Sequence, residues 1–330
     1  MGIQRIEGFK YLDTASVEMT APTSSWTRVA GRGNRYAARW TAGSGVGSIG
    51  VPILAYQCSI GFAAYHYGTG PASRTVVGID YTTSGGSTFG SVSIGSGSGV
   101  GTDNNAATSS LSNWQFPDNS VTTEGWHWWN IIVKTSDSAG YFDVYRDGTL
   151  TARMAPDTYV SGGEPSKVWI RCGRQSDGRY IDISDLIIRD DLNPVPDSRV
   201  DVLELATTRS AQWTGSDGNS VDNHLLLQGT GPSVDLATYV QGSGGGTTDM
   251  YGTEPLPAGT GPVQGIMVKA VGASPDAATP ALLTVNNATS SQFAPNTGTM
   301  FSMVLDNDPA TSQPWTAQSI AAASFGLRTA

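Results

Sequence analysis

The sequence predicts an all-β protein of two domains, on three observations. The composition is rich in small and turn-forming residues, with 41 Gly, 17 Pro and only 14% charged residues; such material builds strands and turns in preference to helices. Strand-like runs recur along the chain, separated by Gly, Ser, Asn and Asp clusters, while no segment of the first 195 residues carries a capped helical period. The 330 residues exceed one ordinary core and suit two. With 9 Trp, 12 Tyr and 8 Phe there are enough bulky groups to fill sandwich cores, which argues against wholesale disorder.

Strands are expected near Arg5–Leu12, Ile53–Tyr67, Thr75–Tyr81, Phe89–Ile94, Trp128–Thr135, Tyr141–Arg146, Lys167–Arg171 and Tyr180–Arg189. In the fifth, Trp129, Ile131 and Val133 alternate with Trp128, Asn130, Ile132 and Lys134, so one face belongs to a core and the other is partly covered. Phe142 and Val144 share a face opposite Asp143, and Asp147-Gly148 supplies the positive φ of a tight hairpin before Thr149-Leu150-Thr151. A three-strand meander follows from these signals.

The run Asp190 to Asp197, with Pro194 and Pro196, cannot continue a sheet interior. It sets the expected organisation: 1–193 a sandwich, 194–198 a linker, and 199–330 a smaller β-rich domain. In the latter, Arg199–Leu205, Val263–Ala270, Ala281–Val285, Met300–Leu305 and Phe325–Leu327 read as strands. Trp315–Ala323 reads as one short helix, with Thr316 as N-cap and Ile320 facing inward. The tracts Gly85–Gly101 and Gly242–Gly246 read as loops or hairpin tips, and no repeat of 20 to 50 residues is found.

A net charge of -9 from 19 dispersed basic and 28 acidic residues disfavours nucleic acid and anionic membrane surfaces as partners. The amino terminus has no apolar signal region and nowhere do 18 apolar residues run together, so neither secretion nor a membrane span is expected. Cys58 and Cys172 are distant and each lies on an apolar strand-like run; buried free thiols are expected.

Enzyme chemistry finds no motif. Glycan hydrolysis needs two carboxyl groups flanking a bond, yet Glu7, Glu18, Glu124, Glu164, Glu204 and Glu254 are all isolated. Asp182 and Asp185 fall on opposite faces of a regular strand and read as solvated carboxylates. A Gly-x-Ser-x-Gly elbow is absent, His66, His127 and His224 are scattered, and the glycine runs lack the Lys and following helix of a phosphate loop. No catalytic residue, cofactor or metal is expected. Asp/Asn-rich loops at 101–105, 216–219 and 306–308 offer oxygen ligands for calcium, but turn chemistry accounts for the same residues. Trp126 and Trp128 are the candidate glycan-contact residues, because exposed rings present stacking faces; core packing is the competing account of them.

Gly125-Trp126-His127-Trp128-Trp129-Asn130, the hairpin Gly140 to Thr149, and Tyr180-Ile181-Asp182-Ile183-Ser184-Asp185-Leu186 together resemble the concanavalin-like (laminin-G-like) jelly-roll sandwich, over about residues 1–193. That family opens its strand on a Trp-His pair and closes on an Ile-Asp-Asp-Leu-Tyr-type strand. Further pieces resemble, in order along the chain, a group of tailed-bacteriophage virion proteins described as tail or minor structural proteins. These are Ile6-Glu7-Gly8-Phe9, Arg199-Val200-Asp201-Val202-Leu203, Gln212-Trp213-Thr214, Asp308-Pro309-Ala310-Thr311, Pro314-Trp315-Thr316 and Ala323-Ser324-Phe325-Gly326-Leu327. The resemblance implies a non-enzymatic virion component, assembled in the host cytoplasm, that docks on other phage proteins as a homo-oligomer. Tail tip, tube surface or fibre attachment is the leading position, capsid or neck decoration the alternative. A module binding host surface glycan is the competing class. The docking reading carries one structural expectation: the second domain exposes an apolar patch.

Overall fold

The computed structural model describes residues 2–10, 18–19, 26–41, 46–52, 57–66, 74–83, 86–95, 100–102, 114–115, 124–134, 136, 138–154, 164–173, 181–228, 237–272, 280–286, 288–290 and 299–330. Two compact units divide after Val200. The first contains β1 (Ile3–Glu7), β2 (Glu18–Met19), β3 (Trp26–Ala30), β4 (Tyr36–Trp40), β5 (Val46–Pro52), β6 (Gln57–His66), β7 (Arg74–Thr83), β8 (Gly86–Gly95), β9 (Val100–Thr102), β10 (Trp114–Gln115), β11 (Gly125–Lys134), β12 (Tyr141–Arg146), β13 (Thr149–Met154), β14 (Glu164–Gly173) and β15 (Ile181–Arg189). They form two antiparallel sheets. The larger runs β10-β13-β12-β11-β6-β15-β4-β3 with β1 also on β15, and the smaller runs β2-β5-β14-β7-β8-β9. This is the all-β antiparallel sandwich that the sequence predicts.

Period-two alternation builds the core of this unit. Val144, Ile131, Ile60 and Ile188 lie opposite one another across β12, β11, β6 and β15, and all four are fully buried. Each such side chain contributes roughly 1.5–3 kcal/mol on leaving water. Phe62 and Trp129 form the next pair on the same face, and Trp26 meets Trp40 edge-on at 5.4 Å between ring centroids. The hairpin after β12 turns at Asp147 and Gly148, with φ of 48° and 80°, the left-handed pair that the sequence predicts.

Asp182 and Asp185 differ from expectation. Neither is solvated: they are 1% and 0% exposed. The register of β15 against β6 slips between Ser184 and Ile187, and Asp185 sits there at φ 55°. A bulge breaks the alternation on which the opposite-faces argument rests.

The second unit contains β16 (Leu205–Ser210), β17 (Thr214–Gly215), α1 (Asn223–Leu226), β18 (Val240–Gln241), β19 (Thr248–Thr253), β20 (Ile266–Gly272), β21 (Ala281–Val285), β22 (Ala288–Thr289), β23 (Thr299–Leu305), β24 (Asn307–Asp308), β25 (Gln313–Pro314), α2 (Ala317–Ala322) and β26 (Phe325–Thr329). Its principal sheet is β16-β19-β26-β21-β22. Val285, Trp315, Ile320, Ala323 and Phe325 make the core, with Ile266, Val268, Met303 and Leu305 packed against it. Thr316 caps α2 through a reciprocal capping box with Ser319, and Ile320 faces inward.

Three features of this unit depart from the sequence reading. Arg199–Glu204 is irregular and the strand starts at Leu205; β19 arises inside the stretch read as turns; and α1 is a second short helix. Gly326 explains the close pairing of β26 with β19, since a Cβ there would lie 1.9 Å from the Asp249 carbonyl oxygen. Among the described residues no helix is long and apolar enough to cross a membrane.

Candidate binding face of the larger sheet

The face of the larger sheet away from the Ile131 row carries the tryptophans singled out above. Trp126 lies opposite Tyr65, Trp128 opposite Ala63 and Asn130 opposite Gly61, so these residues line one face of β11 and β6. Their environments diverge. Trp128 is 5% exposed, and its indole Nε1 donates to the Val195 carbonyl at 3.1 Å; Asn130 Nδ2 donates to the same oxygen at 2.7 Å. Trp126 is half-buried, edge-on to Tyr65 at 5.5 Å. Tyr65 Oη donates to Glu124 at 3.4 Å. Burial raises the Tyr65 phenol pKa first, and the Glu124 carboxylate raises it further.

What covers Trp128 is the chain itself. The segment read as a linker, 194–198, places Val195 at 2% exposure over Gly61, where a Cβ would come within 2.6 Å of Trp128 and 2.7 Å of Val195. Arg32, in the turn between β3 and β4, fastens the segment. Its Nε donates to Asp185 Oδ2 at 3.2 Å, Nη1 to Asp197 at 2.5 Å and Nη2 to the Ser198 carbonyl, while the guanidinium lies 5.3 Å from the Trp128 ring centroid. Asp185 Oδ1 accepts the Val200 N–H at 2.9 Å. Burial pushes the Asp185 carboxyl above the ordinary range, against the opposing pull of the Val200 N–H and Arg32. Sequence reasoning did not find Arg32, Gly61 or Val195. The signal was present in one apolar residue between two prolines.

Asp182, Asp143 and Asp191 of this unit are tied to arginines as well. Arg39 makes two contacts of 2.6 Å with Asp182, and Arg153 grips Asp143 at 2.6 and 2.5 Å. Arg189 holds Asp191, whose pKa it lowers. His127 Nδ1 meets Asp147 Oδ2 at 2.7 Å, with Asp147 Oδ1 accepting the Trp128 N–H, so the pair ties the hairpin to β11. Cys58 is a buried free thiol, its pKa pushed up to about 12 by desolvation. The side chains of Cys172 and His66 lie outside the described residues.

In the second unit, Asp249 is fully buried and accepts from Gln212 N, Trp213 N, Asn223 Nδ2 and Tyr251 Oη at 2.6, 2.8, 2.6 and 2.8 Å. His224 pairs with Thr208 through Nδ1 at 3.0 Å. Of the loops weighed for calcium, Asp217 accepts from Asn219 and Asp308 from the Ala310 N–H, both turn interactions, and 103–105 lies outside the described residues. No cluster of three metal-ligating side chains occurs among the described residues. Among the described residues, the large apolar side chains most exposed are Val221, two residues before α1, Leu225 on α1, and Tyr239, directly before β18.

An all-β chain with an antiparallel sandwich and a second β unit is the class these observations define. No family profile and no curated protein matches the chain. Among solved structures, the chain is similar to peanut lectin (14% identity, 56% of this chain and 97% of that one, TM-score 0.38). It is also similar to the Lotus tetragonolobus seed lectin (11%, 55% and 96%, TM-score 0.38) and the globular domain of T. cruzi calreticulin (10%, 58% and 89%, TM-score 0.36). Likeness of this degree says nothing about function.

Proposed function

We propose that the chain is a non-enzymatic structural component of a tailed-phage virion, tail-associated and acting by protein–protein docking. The ordered set of sequence resemblances from Ile6 to Leu327 supports the virion class. The observation that bears on docking is the exposure of Val221, Leu225 and Tyr239, by 70%, 58% and 50%, the large apolar side chains most exposed among the described residues. Scattered exposed apolar residues are ordinary; a docking surface on this unit would draw on these three. Four described carboxylates of the first unit, Asp143, Asp182, Asp185 and Asp191, are each held by an arginine, and ion pairing accounts for their placement.

Replacing Val221, Leu225 and Tyr239 together with Ser tests the docking claim. The expected result is a chain that folds normally but is absent from assembled particles; normal incorporation of the triple variant refutes the assignment to this surface. A second reading, glycan contact, draws on the half-buried Trp126 beside Tyr65 and Glu124. It requires saturable binding of a host polysaccharide that Trp126→Ala abolishes.

A further inference from the structure

Residues Asp191–Val200 lie on the larger sheet in the manner of a bound peptide. Along the segment only Asp191, Val195 and Val200 are buried, while Asn193, Pro194, Pro196, Asp197 and Arg199 are exposed. It takes part in no sheet ladder. Instead, discrete groups grip it: Trp128 and Asn130 through the Val195 carbonyl, Arg32 through Asp197 and the Ser198 carbonyl, and Asp185 through the Val200 N–H. Trp128, Asn130 and Asp185 stand on β11 and β15, which are fixed by ladders the segment does not enter. Gly61 shapes the floor, leaving room for the Val195 side chain that any larger residue would remove. The two prolines restrict the segment to extended conformations, so little entropy is lost on docking.

We propose that this face is a peptide-docking site, filled here by the chain's own 191–200 segment and able to accept the same segment from a second copy. Copies then join by exchange. The site reads a β-branched anchor, the carbonyl of that anchor and a carboxylate two residues further on, and Val195 and Asp197 supply this pattern in every copy. Exchange reuses identical contacts, so the cis and trans forms differ mainly in tether geometry and concentration. The inference stands on the first unit alone and does not depend on the virion reading.

The test uses the full chain and a fluorescein-labelled peptide of the sequence 191–200. Val195→Asp puts a charge where the cis anchor packs and opens the site. This variant should bind the peptide at least about tenfold more tightly than the wild type, whose own segment competes. A control peptide carrying Asp in place of Val195 should not bind. Wild-type chain should associate as concentration rises, and excess peptide should dissociate it. Should Val195→Asp fail to fold, Val195→Ala is read in the same way. A folded variant that binds the peptide no better than wild type, or binds the control peptide equally, overturns the site. Wild-type chain that stays monomeric at about 100 µM, or associates in a peptide-insensitive way, overturns exchange between copies.

Discussion

Asp249 offers the most demanding check on how the second unit is held together. Its carboxylate is fully buried and receives four hydrogen bonds, two from backbone N–H groups and two from the side chains of Asn223 and Tyr251. Truncation to Ala orphans the Gln212 and Trp213 N–H groups and the Tyr251 hydroxyl, and leaves Asn223 Nδ2 with only the Trp213 carbonyl. Each buried donor without a partner costs about 1–3 kcal/mol, and partial entry of water into the space reduces the sum, so we expect a loss of about 4 kcal/mol. Asp249→Asn is milder. Its Oδ1 still accepts from Gln212 and Trp213, and the Tyr251 hydroxyl can turn to accept from the new amide, which leaves Asn223 Nδ2 facing that amide with the Trp213 carbonyl as its remaining partner. The expected cost is about 1–3 kcal/mol. Against a domain stability of about 5–15 kcal/mol, the Ala variant should bring the unfolding of this unit to much lower urea. Equilibrium unfolding followed by tryptophan fluorescence, which includes Trp213 beside the carboxylate, reads the order wild type, Asn, Ala. A loss below about 1 kcal/mol for Ala, or an Asn variant as unstable as Ala, refutes the reasoning.

Further outcomes follow from the same physics. Burial and then the Asp249 carboxylate raise the Tyr251 pKa, so the folded chain keeps the phenol proton after the unfolded chain has lost it near pH 10. Stability from this group is therefore intact below pH about 10 and falls by about 1.4 kcal/mol per pH unit above it; Tyr251→Phe should flatten that alkaline slope in pH-dependent unfolding. Gly61→Ala forces Trp128 and Val195 apart and should cost about 1–3 kcal/mol, with new protease sensitivity between residues 191 and 200; an unchanged digestion pattern contradicts the packing described. Thr316→Ala removes the capping box of α2 and should lower stability by about 1 kcal/mol in the same unfolding assay. Cys58, with its pKa near 12, should resist thiol reagents at pH 8 in the native chain and react in denaturant, as peptide mapping will show.

Where local signals and tertiary packing agree, the sequence was legible. Alternation in Trp128–Lys134 and Tyr141–Arg146 placed two adjacent strands of the larger sheet, Asp147-Gly148 placed their turn, and Thr316 with Ile320 placed α2 and its inward face. It failed where one residue broke a period. The bulge at Asp185 buries that carboxylate beside Arg32, while Asp182, expected to be solvated like it, is buried against Arg39 across the β4 ladder; no periodicity rule anticipates a single αL residue inside an apolar strand or a carboxylate paired across a ladder. β19 was hidden because its burial depends on a charged residue, Asp249, whose four donors come from distant parts of the chain. Trp126 and Trp128 are equivalent by spacing, and only the Val195 segment distinguishes them by covering one. Prolines mark that segment as unable to join a sheet, which is true, but leave open whether it spans solvent or lies across a sheet face.

Membership of a virion, as proposed for this chain, is checked on purified phage particles carrying its gene, by quantitative mass spectrometry and by gold labelling of the intact particle. A virion part should be present at a fixed copy number per particle with label on the tail; label confined to the head would move its position within the virion. Absence of the chain from purified particles would refute the proposal.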